Sequence, residues 1–350
     1  MKVLLTGANG LLGNHLARLL LREGHDVRAL VRRDSKLDAL DGLDVELAYG
    51  DVRDASALRA AAQGCELLYH TAAVFSYWGH SREAMMATAQ EGARNAVEAA
   101  RDAGIRRIVL TSSAAVLGGH LTPTPLGEAD EVRIPGAPDY FDSKVLQEQA
   151  ALDQGRALGV EVVAVNPAVF LGPRDMRPSA GLPSVTSYLA DPLKLTWPGG
   201  VNLIHVEDVA RAHLFLAEHG QPGQRHLVCA QNWEWSTFHQ TLSELAGVGG
   251  PYLSMSPRAA KLGTALMELG AKITRKPPLG TQDQARVVGR YFWYKADKLL
   301  GLGFAPPRPS REALVDTLAW LLDSPLLDPK VKAKLKPSAE VVAARERMRV

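Results

Sequence analysis

Residues 1–20 of this chain read MKVLLTGANGLLGNHLARLL, and this stretch decides the fold. Its opening apolar run predicts a buried strand, and the segment from Leu11 to Arg22 predicts an amphipathic helix because its apolar residues recur at helical spacing. Gly7, Gly10 and Gly13 lie at the junction of these two elements. Three glycines at this spacing could simply turn the chain, or they could let the backbone approach a ligand.

Short apolar runs and helical patterns alternate over the first two thirds of the chain. The predicted strands are Lys2 to Leu5, Asp26 to Val31, Val45 to Ala48, Glu66 to Tyr69, Arg107 to Thr111, Val160 to Val165 and Asn202 to Ile204. The predicted helices are Leu11 to Arg22, Ser56 to Gln63, Arg82 to Ala103, Asp142 to Ala157 and Val206 to Glu218. This alternation predicts an α/β fold with a doubly wound parallel sheet of the Rossmann type.

The pattern changes after Pro222, where prolines and glycines cluster and short helices such as Arg311 to Leu322 replace the strands. This change predicts a smaller, largely helical C-terminal substrate region packed at the carboxyl edge of the sheet, with a cleft between them. The predicted domains are a dinucleotide-binding domain at 1–222, of which 167–201 contribute to the cleft, a substrate-binding region at 223–324 and a charged tail at 325–350. The tail carries seven Lys/Arg and three Asp/Glu, which is typical of a solvated segment.

Composition excludes several classes of protein. With 46% hydrophobic residues, 22% charged residues and a formal net charge of +2, the chain has the makeup of a globular protein without a strong field for nucleic acid. The two cysteines, Cys65 and Cys229, lie far apart and predict neither a disulfide framework nor a metal site, which fits a cytoplasmic location. No apolar run is long enough to predict a membrane span.

The position of the glycine loop favours a phosphate-binding role. Gly7 follows a predicted strand directly, where a tight turn is needed, and Gly10 would let the backbone approach a pyrophosphate. Gly13 would let helix and strand pack closely. The amino terminus of the helix would then offer N–H groups and the positive end of its dipole to the phosphates.

Two further signals concern a dinucleotide. The second strand ends VRALVRR, where an acidic residue would hold the ribose hydroxyls of NAD, so Arg32 and Arg33 instead favour the 2′-phosphate of NADP. Both could also be ordinary surface arginines. Asp51, after the third strand, is placed to accept a hydrogen bond from an adenine amino group, with Val52 beside the ring, or it could serve only to start a helix.

Tyr140 and Lys144 form a candidate acid–base pair in the stretch PDYFDSKVLQEQA. They are four residues apart on a predicted helix and therefore share one face. A tyrosine has an ordinary pKa of about 10, which a neighbouring ammonium and a cationic nicotinamide ring would lower. Ser113 follows the strand of IVLTSS at the edge where the cleft opens, so its hydroxyl could steady a substrate carbonyl oxygen. These three residues thus predict hydride transfer with Tyr140 as the acid–base group.

At this point the sequence resembles the extended short-chain dehydrogenases/reductases, the NAD-dependent epimerase/dehydratase family. The motifs that carry the resemblance occur in that family's order and are TGANGLLG, GDVRD, HTAA at 70–73, LTSSAAVLG, YFDSK, NPAVFLGP and IHVEDVA. The resemblance covers roughly residues 1 to 322 and implies Ser113, Tyr140 and Lys144 as the catalytic set, with Lys144 also holding the nicotinamide ribose. It implies cofactor contacts from Thr6, Gly7, Asn9, Gly10, Leu11, Leu12, Gly13, Arg32, Arg33, Asp51, Val52, Thr71, Ala72, Ala73, Pro167 and Val169. A homodimer through the two long helices is also implied.

Within the family, the chain looks like the dihydroflavonol reductase branch. Asn166 and Pro167 match that branch, as does VRALVRR, which implies NADPH as the preferred cofactor with NAD as an alternative. Sugar-nucleotide enzymes of the family often carry an asparagine at the position of Val169, where it contacts a phosphate. The loss of that polar contact in a cleft argues against a nucleotide sugar as the substrate.

The predicted substrate wall is apolar. It comprises two groups of residues and favours a hydrophobic ketone or aldehyde. Val74, Phe75, Tyr77 and Trp78 follow HTAA, and Phe170 and Leu171 follow the NP pair. Arg174 and Arg177 could each meet an anion instead. The chain departs from its relatives at Ala89, where many carry an asparagine in the long helix, and at Gly118, where the plant flavonoid enzymes carry a substrate-contacting asparagine. A flavonoid substrate is therefore not implied.

The sequence thus predicts an NADPH-dependent carbonyl reductase or alcohol dehydrogenase acting on a small apolar molecule. Two alternatives stay open. One is a nucleotide-sugar epimerase or dehydratase that holds NAD, and the other is a dinucleotide-sensing protein without chemistry. An intact set of Ser113, Tyr140 and Lys144 argues against the sensor, which has no use for it.

Overall fold

A computed structural model describes residues 1–73, 81–274 and 281–349, with the side chains of 272–274 left aside. The strands are β1 Lys2–Thr6, β2 Asp26–Val31, β3 Val45–Tyr49, β4 Leu67–His70, β5 Arg107–Thr111, β6 Glu161–Pro167, β7 Val169–Leu171, β8 Leu195–Thr196, β9 Gly200–His205, β10 Arg225–Val228, β11 Gln231–Glu234, β12 Leu253–Ser254 and β13 Tyr291–Phe292. The helices are α1 Leu11–Arg22, α2 Ala55–Ala62, α3 Arg82–Asp102, α4 Asp139–Leu158, α5 Leu182–Ala190, α6 Val206–His219, α7 Trp235–Ala246, α8 Pro257–Thr274, α9 Gln282–Ala285, α10 Asp297–Gly301, α11 Ser310–Asp323, α12 Pro329–Lys332 and α13 Ala339–Arg347.

Seven strands form the main sheet in the order β10-β6-β5-β4-β1-β2-β3, and all neighbours are parallel. The order reverses at β1, between β2 and β4, as in doubly wound dinucleotide-binding folds. The predicted fold class is therefore confirmed. Because ligands of such sheets bind outside the carboxyl ends of the strands, the ends of β1, β4 and β5 define where a site should lie.

Both faces of the central strands are covered, which explains why β1, β4 and β5 are buried over nearly their whole length, whereas the edge strand β3 is largely exposed. Val3 and Leu5 belong to the core with α1 and α6, whereas Leu4 belongs to the core with α2, α3 and α4, and all three side chains are fully buried. Successive side chains of a strand point to opposite faces, so a strand buried on both sides shows no polar alternation.

A second, smaller unit is formed by segments on both sides of β10 in the chain. In it β9 pairs with β7, β11 and β13, and β8 pairs with β12. Its core combines side chains of α5, α7, α11 and α13, among them Phe238 and Leu314. The second region is thus largely helical, as predicted, but it also contains short strands. The sequence pattern indicated β9, at Asn202 to Ile204, but not β7, β8, β11, β12 or β13.

Two details differ from the sequence expectations. The strand pattern does not end at Pro222, because Arg225–Val228 form β10, which pairs with β6 at the edge of the main sheet. The expectation of a solvated tail at 325–350 needs correction for α13. Val341 and Ala344 are fully buried there against the second core, because they lie three residues apart on one helix face.

Within the described residues, no helix has both the length and the apolar character that crossing a membrane requires.

Candidate active site

The glycine loop forms the tight turn between β1 and α1. Gly7 has a φ of 73°, in the left-handed region that favours glycine, and a Cβ there would lie 2.8 Å from the backbone nitrogen of Ala72. A Cβ on Gly13 would overlap the carbonyl oxygen of Gly7, so the helix packs against the turn only because residue 13 has no side chain. The structure thus has the turn and the close packing that the sequence indicates, while the phosphate contact stays a prediction.

The amino terminus of α1 has the chemical features of an anion-binding site. Gly10 is the N-cap and forms no side-chain capping bond, and the first turn contains no acidic residue. The side chains of Leu11 and Leu12 are buried in the core, so these residues could meet a ligand only through their backbone. Such a terminus suits an anion, because its N–H groups and helix dipole are not already neutralised by a side chain.

The end of β1 is tied to the segment that follows β4. The Thr6 hydroxyl lies 3.0 Å from Nδ1 of His70 and accepts a hydrogen bond from the Ala72 backbone N–H at 3.3 Å. The Thr71 hydroxyl donates to the Thr6 carbonyl at 2.7 Å. Burial lowers the pKa of His70 to about 4, so its ring is neutral at pH 7. The Thr6 side chain therefore holds the strand ends together, and Ala73 lies exposed beside them.

The predicted cofactor residues after β2 lie at the same edge. The Arg32 guanidinium is half exposed with its Nε 3.5 Å from Asp34, and the Arg33 guanidinium lies 5.5 Å from the centre of the Tyr49 ring. Asn9, in the glycine loop, donates from Nδ2 to the carbonyl of Lys36 at 3.3 Å. This bond connects the glycine loop to the segment that carries both arginines.

Asp51 and Val52 follow β3. The Arg53 guanidinium donates to both carboxylate oxygens of Asp51, at 3.0 and 3.1 Å, and holds the pKa of that carboxyl below its usual range. A carboxylate accepts more than two hydrogen bonds, so an adenine amino group could still be bound there. The Val52 carbonyl accepts a bond from Asn95 at 3.1 Å.

Ser113 and Tyr140 come together although they are distant in sequence. Ser113 begins a short 3-10 turn after β5, and its hydroxyl accepts a bond from the Ala115 N–H at 3.2 Å. Tyr140 lies in the first turn of α4 and forms a side-chain hydrogen bond with Ser113. Burial raises the pKa of Tyr140, and the bond to Ser113 opposes that shift.

Lys144 lies one turn further along α4 and is 4% exposed. Its Nζ donates to the Thr111 carbonyl at 3.0 Å, at the carboxyl end of β5, and to Oε1 of Gln147 at 2.7 Å. Burial lowers the pKa of Lys144 to about 8, and the charge of Glu148 acts in the opposite direction. The structure therefore brings all three predicted catalytic residues to the carboxyl edge, near the glycine turn.

Sequence reasoning missed two supporting residues. Gln147 is buried and connects Lys144 to the segment after β4 by donating from Nε2 to the Ala72 carbonyl at 3.3 Å. Glu148 is also buried and accepts from Asn166 at 2.6 Å, while Asn166 donates to the Ser113 carbonyl at 3.2 Å. The available signal was helical spacing, because Gln147 is three residues after Lys144 and thus on the same face.

The predicted substrate wall is only partly described. Val74, Phe75, Tyr77 and Trp78 lie outside the described residues. Pro167, at the end of β6, is buried, whereas Val169 and Phe170 in β7 are half-buried and pack against the second and the main core respectively.

Three further positions named in the sequence analysis, Arg174, Arg177 and Gly118, lie in described segments. Arg174 and Arg177 are exposed and follow β7, and Arg174 has a φ of 64°. The carbonyl of Gly118 accepts a bond from the Tyr294 hydroxyl at 3.0 Å.

Comparison with known proteins agrees with this geometry. The model of the NAD-dependent epimerase/dehydratase family matches residues 3–230. The chain is 34% identical over 334 residues to "Sterol demethylase protein B" of Methylococcus capsulatus, covering 91% of this chain and 98% of that one. It is 32% identical over 324 residues to "Putative dihydroflavonol 4-reductase" of Synechocystis sp., covering 90% and 93%. The crystal structure of gox2253 superposes with a TM-score of 0.81 at 30% identity, covering 93% of this chain and 99% of that one.

These matches confirm the predicted resemblance, including the reductase branch. They support the classification of the chain as an oxidoreductase-type enzyme that uses NAD or NADP. Since the family model matches well over half of its length and its sheet has the doubly wound order, this chain belongs to the NAD-dependent epimerase/dehydratase family.

Proposed function

We propose that this protein is an NADPH-dependent reductase of a ketone or aldehyde on a mainly apolar small molecule, or the dehydrogenase of the corresponding alcohol. The observation that carries the proposal is the convergence of Ser113, Tyr140 and Lys144 at the carboxyl end of β5, where the Lys144 ammonium donates to a strand carbonyl at 3.0 Å and the Tyr140 phenol bonds the Ser113 hydroxyl. A phenol, a hydroxyl and an ammonium at one sheet edge are the groups that proton transfer to a carbonyl oxygen requires.

The residues at this edge fit a nicotinamide dinucleotide. The amino terminus of α1 has no capping side chain and no acid in its first turn, so it suits a pyrophosphate. Arg32 and Arg33 are the cationic side chains at the end of β2 and suit the 2′-phosphate of NADP. The dinucleotide supplies the hydride when bound.

The chain's own residues supply the proton and stabilise the charge. In the reduction direction, Tyr140 donates its hydroxyl proton to the substrate oxygen, to which Ser113 donates a hydrogen bond. The phenolate left on Tyr140 is stabilised by the Lys144 ammonium, because an opposite charge nearby favours the ionised form. In the oxidation direction the same phenolate accepts the alcohol proton.

The substrate class is supported by the names of relatives and by the composition of the predicted substrate wall. One relative is named "Sterol demethylase protein B" and another "Putative dihydroflavonol 4-reductase". A sterol is a mainly apolar ring system, and a dihydroflavonol is an uncharged molecule built on aromatic rings. Val169 and Phe170 add apolar surface beside the end of β6. An apolar wall binds such a ring better than a diphosphate, which would be left without partners.

A substrate panel tests the proposal. Purified protein is mixed with NADPH or NADH and with ketones, aldehydes or sugar nucleotides, and the loss of reduced-cofactor absorbance is followed. We expect consumption of NADPH with apolar carbonyl compounds. Isomerisation of a sugar nucleotide with NAD bound and no net cofactor consumption would contradict the proposal and support the epimerase alternative.

A further inference from the structure

Gln147 occupies an unusual position between the proton-handling residues and the cofactor edge. It is 2% exposed, and both ends of its amide are hydrogen-bonded. Oε1 accepts from Lys144 Nζ at 2.7 Å, and Nε2 donates to the Ala72 carbonyl at 3.3 Å. Ala72 in turn lies against the Gly7 turn, so one side chain connects the ammonium to the glycine loop.

We propose that Gln147 is a positioning residue of the reaction, which holds the Lys144 ammonium in its charged form and in place beside Tyr140; its part in turnover rests on the proposed function. An ammonium has three N–H donors, and two of them are directed to Thr111 and Gln147. Because two N–H groups are held, the direction of the third N–H is fixed and does not vary with rotation of the lysine side chain.

The chemistry of an amide explains why it suits this position. A buried ammonium without an acceptor would lose its proton, since burial disfavours the charged form. A carboxylate at position 147 would keep the ammonium charged but would neutralise its field at Tyr140. A neutral acceptor supports the charge and leaves that field in place.

Other ionisable groups face Lys144 from the surrounding elements. Glu148 follows Gln147 on α4, but its carboxylate is directed to Asn166 and Arg225. His70 on β4 is neutral, with a pKa of about 4. His213 on α6, whose pKa is also about 4, lies 2.8 Å from the Thr111 hydroxyl. The hydrogen-bond acceptors that the structure gives Nζ are thus uncharged.

Two nearly isosteric variants test the proposal in opposite directions. Gln147→Met keeps the volume and removes the acceptor, whereas Gln147→Glu keeps an acceptor and adds a charge. The 13Cε resonance of Lys144, assigned by its absence in Lys144→Met, is titrated in each protein. We expect the pKa of Lys144 to fall by about one unit in the Met variant and to rise by about one unit in the Glu variant.

The alkaline limb of kcat/KM for carbonyl reduction should move with these titrations, downward in pH for Met and upward for Glu. Gln154→Met is the matched control, because Gln154 lies on the same helix and bonds Glu98 at 3.0 Å, away from the site. It should change neither titration nor profile.

Superimposable Lys144 titrations in the wild type and both variants, each shown to be folded by thermal melting, would overturn the inference. If the Met variant does not fold, the Glu variant alone decides by the presence or absence of its upward shift. Absence of carbonyl reduction by the wild type would instead count against the proposed function, and the resonance titration would still decide the role of Gln147.

Discussion

The side chains of Ser113 and Tyr140 form a hydrogen bond across 26 intervening residues, from the end of β5 to the first turn of α4. Ser113 is held by the 3-10 turn that it caps and, through its carbonyl, by Asn166. Tyr140 is held by the helix that also carries Lys144. Because each hydroxyl is fixed by a different element, their contact depends on the packing of α4 against the sheet.

Replacement of Tyr140 by Phe should remove the proton donor and leave the packing unchanged. Loss of a general acid typically lowers turnover by about 10²–10⁴-fold, and we expect a fall of that size in kcat. Binding of NADPH, measured by fluorescence titration, should persist. Tyr188→Phe is the control, since Tyr188 also bonds a serine hydroxyl, Ser243 at 2.7 Å, but lies in α5 within the second core. Full activity of Tyr140→Phe would refute its acid–base role.

Arg32→Ala should weaken use of NADPH and spare that of NADH. Hydrogen bonds to a charged group contribute about 1.5–3 kcal/mol, so KM for NADPH should rise about 10- to 100-fold. The measurement is the steady-state KM for each cofactor. Arg133→Ala is the control, because its guanidinium is 91% exposed and pairs only with Glu131 in the structure's described part. An equal loss with both cofactors would show that Arg32 does not bind the 2′-phosphate.

Gly13→Ala should destabilise the protein although alanine is the better helix former. The added Cβ would overlap the Gly7 carbonyl oxygen, and overpacking of this kind costs about 1–3 kcal/mol. Gly263→Ala in α8 meets no atom within 4 Å and should instead stabilise by about 0.5–1 kcal/mol. Urea unfolding of both variants gives the two free energies, and a stabilised Gly13→Ala would disprove the close packing of α1 on the turn.

Local signals were sufficient for most of the main sheet. The helix Leu11–Arg22 and the strands Asp26–Val31 and Arg107–Thr111 occur with their predicted bounds, because a periodic apolar pattern and flanking glycines mark their ends. The strand Arg225–Val228 was missed because half of its residues, Arg225 and His226, are polar and because it directly follows the glycine- and proline-containing segment 219–224. The His226 ring is buried, and it accepts a bond from the Gln221 N–H at 3.2 Å.

The site was predictable in part for a similar reason. The spacing of Tyr140 and Lys144 fixes one shared helix face, which a sequence shows directly. The contact of Gln147 with Ala72 joins α4 to the segment after β4, and no local pattern reports such a contact. The burial of α13 likewise depends on its contact with the second core. Its sequence, AEVVAARER, contains few apolar residues beside the charged ones and therefore does not indicate this contact.

The packing of α13 leads to a prediction that compares two adjacent valines. Val341 is fully buried in the second core, whereas Val342 is 43% exposed. Val341→Ala removes buried methyl groups and leaves a small cavity, so it should lower the free energy of unfolding by about 1–3 kcal/mol. Val342→Ala should change it by less than about 0.5 kcal/mol, because the exposed position loses little burial and alanine favours the helix. Urea unfolding measures both, and equal small effects would mean that α13 does not contribute to the core but behaves as the solvated tail that its charge pattern suggests.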